Sequence, residues 1–142
     1  MNARVQHRLL SLMVAIGLLT GAASAQTIVV QVLNGRNGKP VKAGTVVQVA
    51  FPDEAVHRLL GLHTNRQGEV EFDAEAAKTF QVGVVGHASC REGAASSPPD
   101  KYAVEEISQS GGVGPNHCGQ AIADPQAGRL ILFVKSEGGW ER

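Results

Sequence analysis

The sequence predicts an all-β fold: an antiparallel β-sandwich of about seven short strands, with one segment that could instead form a short helix. Three observations predict it. Short apolar or alternating runs rich in β-branched residues recur along the chain, separated by turn-forming residues. Glycine is abundant, at 17 residues, as a fold with many tight turns requires. Hydrophobic residues make up 43% and charged residues 18% of the 142-residue chain, which suits one globular domain with a real core.

The strands follow in order. Residues 27–33 alternate, with Ile28, Val30 and Val32 on one face. Asn34-Gly35-Arg36-Asn37-Gly38-Lys39-Pro40 is dense turn chemistry. Residues 45–51 form the second expected strand, with Val47, Val49 and Phe51 on one face, and 57–64 the third. Residues 54–60 could also make a helical turn. After the turn Asn65-Arg66-Gln67-Gly68, residues 69–72 alternate, pointing Val70 and Phe72 inward; 79–85 form another strand. Residues 86–101 lack periodicity and contain Pro98-Pro99, so they read as a long loop. Residues 100–110 admit two readings, strand or helix: Ala103, Val104 and Ile107 have helical spacing, Asp100 could cap and Gly111 could stop. Residues 112–128 are irregular, and 129–135 form a continuous apolar strand suited to the centre of a sheet.

Residues 1–25 have the layout of a secretory signal. Arg4 and Arg8 form a positive start, residues 9–19 are apolar except for Ser11, and Ala23-Ser24-Ala25 is a small-x-small cleavage pattern. The expected mature domain is 26–142, starting at Gln26, in a secreted or periplasmic location. The alternative, an uncleaved anchor, needs roughly 20 apolar residues, more than this run provides. No stable membrane span is expected after cleavage. The mature domain holds 11 basic and 13 acidic residues, about −2, so no basic face for nucleic acid is expected. A single Trp and a single Tyr argue against a broad aromatic platform for sugars or single strands.

The segment Asn34-Gly35-Arg36-Asn37-Gly38-Lys39-Pro40-Val41, followed by Thr64-Asn65-Arg66-Gln67-Gly68-Glu69-Val70-Glu71-Phe72, resembles the carboxypeptidase-regulatory-like and transthyretin-like (prealbumin-like) superfamily. Residues 27–85 carry the resemblance; Asn65 stands where that pattern usually has Asp. It implies a prealbumin-like or immunoglobulin-like sandwich used for adhesion, docking or stabilisation, not a particular reaction. The hydroxyisourate hydrolase branch has a Tyr-Arg-Gly-Ser tail, whereas this sequence reads Gly139-Trp140-Glu141-Arg142. Collagen-adhesin-type domains form isopeptide bonds from a first-strand Lys, which residues 27–33 lack.

Cys90 and Cys118 are the only cysteines. In an exported chain such a pair is most simply a disulfide, closing a 29-residue loop. Chain entropy then contributes at most about 3.6 kcal/mol. The competing reading joins His87 and His117 to the two thiols as a zinc site for a small metal-dependent hydrolase. His57 and His63, on one strand, would lie about 20 Å apart, too far to share a metal. Asp53-Glu54 and Glu105-Glu106 are neighbours that point different ways and read as solvated faces. Ser96-Ser97 lacks a nucleophile elbow. Trp140 is either a plug on a sheet edge or an exposed contact.

The expected function is therefore an exported, non-enzymatic module that binds a protein or envelope component, or a structural subunit of an envelope assembly. No cofactor is expected. The candidate contact surface is the pair of loops 86–101 and 108–128, with His87, Arg91, Tyr102, Asn116 and His117 as its prominent side chains.

Overall fold

The computed structural model describes residues 26–94 and 98–137. Residues 1–25, where a secretory signal is expected, Ser96-Ser97 and the segment around Trp140 lie outside the described residues.

The described chain forms two mostly antiparallel sheets and one short helix. In order, the elements are β1 (Thr27–Asn34), β2 (Val46–Phe51), β3 (Arg58–His63), β4 (Glu69–Asp73), β5 (Thr79–Val84), β6 (His87–Ser89), β7 (Lys101–Ala103), α1 (Val104–Ser110), β8 (Gly112–Val113) and β9 (Arg129–Ser136). One sheet has the order β4-β1-β9-β6, with β8 also on β9; the other has the order β3-β2-β5-β7.

The alternating residues do what their period requires. Ile28, Val30 and Val32 of β1 and Val47, Val49 and Phe51 of β2 are buried in one core that both sheets share. Phe51, Phe72, Phe80 and Tyr102 run through it with successive ring centroids 5.9, 5.4 and 5.7 Å apart. Residues 130–134 of β9 are all apolar because both faces of the strand are covered there. Leu130 and Val134 enter the shared core, and Ile131 and Phe133 pack outward with Leu33 and Cys90.

The turns carrying the superfamily resemblance are held by their own side chains. Asn65 Oδ1 accepts the amides of Gln67 and Glu69, both at 2.9 Å. Buried Thr64 accepts the Thr45 amide and donates to Lys42 O. Gly68 has φ 74°, and a Cβ there would stand 2.5 Å from Val32 O, so glycine is required twice over.

Four expectations need correction. The pairing is not wholly antiparallel: β1 and β8 both run parallel to β9. The segments read as loops hold the short strands β6 and β8, which two or three residues cannot announce by periodicity; their pairing with β9 defines them. His57 precedes β3 rather than belonging to it. Residues 100–110 are strand and then helix: Asp100 does not cap, because the N-cap is Ala103 with no side-chain cap bond. Gly111 does stop the helix, its amide donating to Ile107 O at φ 71°.

Candidate functional site

β9 has two edges. β1 takes one, and β8 and β6 share the other, pairing with residues 130–131 and 134–136 respectively. From β8 onward the chain packs Val113, Cys118, Ala121 and Ala123 against the outer face of the sheet, and the Cys90–Cys118 disulfide ties it down with the Cα atoms 5.3 Å apart. The Cys90 amide donates to Phe133 O, and Cys90 O accepts the His117 amide at 2.7 Å.

Asn116 completes this layer. Its Nδ2 donates to Gly35 O at 2.8 Å and to Ala121 O at 2.9 Å, while Oδ1 accepts the Cys118 amide at 3.1 Å. Its amide thus spends its bonds inside the fold, which makes it a positioning residue for the disulfide segment. His117 beside it is exposed. Neither borders the cleft described next.

The cleft lies on the opposite side of β6, where the two sheets part. It has a volume of about 340 Å³. Val82 and Val84 of β5 and Leu132 and Val134 of β9 give it apolar walls, and His87, Arg91, Asp100 and Tyr102 also line it. Three of the five side chains singled out from the sequence therefore meet here. Arg91, just after β6, bridges to the segment before β7: Nη2 donates to Pro98 O at 2.6 Å, and Nη1 lies 3.5 Å from Asp100 Oδ1. His87 Nδ1 lies 3.1 Å from Val85 O and donates to it in the tautomer protonated at that nitrogen.

Burial pushes the Tyr102 phenol up to about 12, and the nearby Asp100 carboxylate adds to this while Arg91 opposes it. The phenol is thus neutral at physiological pH and remains a hydrogen-bond donor. The cleft can accept apolar groups between the sheets and offer a phenol O–H and a partnered ion pair to polar ones.

The zinc-site alternative is not assembled. Both sulfurs form the disulfide, and no cluster of three or more His, Cys, Asp or Glu with metal-binding geometry exists among the described residues. Asp53 and Glu54 likewise serve separate partners. Asp53 bonds Thr79 and Lys101, which hold its carboxyl below the usual range, the Thr79 bond contributing most. Glu54 pairs with Arg58 at 3.2 Å. Glu105 and Glu106 are exposed in the first turn of α1. No described helix is long and apolar enough to cross a membrane.

The chain matches no protein-family model, and no curated protein shows significant similarity to it.

Sequence reasoning missed the cleft itself, since its walls come from two sheets whose juxtaposition no local pattern reveals. One signal was present: Pro98-Pro99 stops β7 short and leaves the neighbouring part of β5 uncovered.

Proposed function

We propose that this chain is an exported, non-enzymatic binding module of the cell envelope, built as a prealbumin-like β-sandwich that engages its partner through the side cleft. The cleft carries the reading: it is an apolar opening between the sheets, bordered by Arg91, Tyr102 and His87 on a framework braced by a disulfide. The disulfide accords with an oxidising compartment. The shared core supports the sandwich architecture, and the two glycine turns support the superfamily resemblance. The strand order favours the prealbumin-like form over the immunoglobulin one. In the latter the first two strands are neighbours in one sheet, whereas β1 and β2 here belong to different sheets.

The test is retention of an envelope component by the immobilised mature domain and by its Ser89→Trp variant. Ser89 lines the cleft and stands opposite Val134 in the β6–β9 ladder, so its side chain shares the inner face and an indole there fills the cleft. The expected result is retention by the native chain and loss in a variant with unchanged circular dichroism. Equal retention by both would remove the cleft from the function. Amino-terminal sequencing of the exported protein should begin at Gln26.

A further inference from the structure

The open half of β5 has a backbone arrangement that the cleft alone does not explain. β2 pairs with β5 across residues 81–84, but β7 covers the other edge only across 79–81. In a strand, successive residues turn their N–H and C=O to opposite edges. The Val85 amide donates to Val46 O, so residues 81, 83 and 85 face β2. Lys78 O accepts the Val104 amide on the other side, so residues 78, 80, 82 and 84 face away from β2. Val82 and Val84 therefore direct two N–H and two C=O groups to an edge where no described residue bonds them.

Prolines keep β7 from covering this edge. Its register, continued backwards, sets Asp100 opposite Val82, Pro99 opposite Gly83 and Pro98 opposite Val84. Pro98 has no N–H to offer. The segment is also drawn off the line of β7, because Gln81 Nε2 holds Pro99 O at 2.8 Å and Arg91 holds Pro98 O.

There is room beside the edge on both faces. The cleft lies on the inner side, and it continues past Gly83 to Gln48, which alternates outward from the buried Val47 and Val49. A Cβ on Gly83 would meet nothing within 4 Å. The edge itself, Val82-Gly83-Val84-Val85, carries neither the charge nor the proline with which exposed edges are usually blunted.

We infer that residues 82–84 of β5 are a strand-addition site for an extended peptide segment of a partner protein, with apolar side chains at alternate positions. The peptide main chain takes the unpaired groups of Val82 and Val84, and its inward side chains enter the cleft beside Val84 and Leu132. This rests on the cleft reading above and names the occupant that the cleft takes.

The experiment uses the oxidised mature domain and a blocked hexapeptide of alternating threonine and valine as probe. A second hexapeptide carries an N-methyl group on every amide, so neither edge can donate. Amide exchange and chemical shifts are followed by NMR. The expected result is at least tenfold slower exchange at Val82 and Val84 with the plain peptide and none with the methylated one, in which the donors are blocked. Val84→Pro removes an outward N–H while sparing the bonds to β2, and should weaken binding at least fivefold. Equal binding of both peptides would overturn strand addition while leaving a cleft that reads side chains alone. No shift at either valine with millimolar peptide would overturn the inference. A concentration-dependent dimer that protects the same two amides would overturn it too, by making a second copy the occupant. Unchanged protection of the valine amides in Ser89→Trp would count against the cleft and not against the edge.

Discussion

Replacing Gly35 with alanine should damage the fold through one added methyl. Gly35 follows β1 and has no positive φ to protect, so backbone strain plays no part. The constraint is space: a Cβ there would stand 2.5 Å from Asn116 Oδ1 and 2.8 Å from both Cys118 Cβ and Cys90 Sγ. Two of those atoms belong to a covalent bridge, and the third accepts the Cys118 amide, so none can withdraw alone. Overpacking costs about 1–3 kcal/mol, and a disturbed Asn116 bond adds about 1 kcal/mol. The reduced freedom of the unfolded chain returns about 0.4–1 kcal/mol. The expected net loss is about 1–3.5 kcal/mol. Urea unfolding of the oxidised protein measures it, with Gly61→Ala as control. Gly61 is exposed on β3 and a Cβ there meets nothing within 4 Å, so that change should be neutral or stabilising by about 0.5 kcal/mol. Removing Sγ with Cys90→Ala should shrink the Gly35→Ala loss. If Gly35→Ala and Gly61→Ala unfolded at the same urea concentration, the crowding argument would be refuted.

Three further outcomes are expected. Replacing both cysteines with alanine should lower stability by about 2–4 kcal/mol in urea, near the loop-entropy figure, and speed amide exchange around Asn116 and His117. Tyr102 is the sole tyrosine, so phenolate absorbance reports it alone, and its midpoint in the folded protein should lie near 12. Because the unfolded phenol ionises near 10.0, stability should be level below that pH and decline between about 10 and about 12, read from urea midpoints. Asp53 behaves in the opposite sense: its lowered folded value contributes stability above pH 3.8 that is lost as pH falls through the folded value. Carboxyl NMR should show Lys101→Ala moving the Asp53 midpoint upward, by less in high salt.

Much of the architecture could be read locally. β1, β2 and β4 bury alternate residues, as their sequences require, and residues 130–134 of β9 are apolar because they are covered twice. The direction of pairing could not be read, since a strand's own pattern says nothing of which way its neighbour runs; hence the parallel β1–β9 ladder was unforeseen. β6 and β8 were hidden because His-Ala-Ser and Gly-Val carry no strand signature apart from β9. Among the candidate side chains, His87, Arg91 and Tyr102 meet at the cleft. Asn116 was misjudged for a physical reason: an amide in a glycine-rich loop suggests an outward contact, but this one is turned inward to satisfy three backbone groups.

The parallel ladder between β1 and β9 also dictates when the molecule can fold. Val29 pairs with Arg129, one hundred positions later, and the register runs on to Asn34 with Val134. Until the later segment has been synthesised, β1 has only β4 beside it, and the face of β9 that joins the shared core does not exist. Contacts of such long span make collapse to the native state slow. In the exported role proposed above, that delay is an advantage: a chain whose first strand must wait a hundred residues for its partner stays threadable while it waits to cross a membrane, and locks only on the far side.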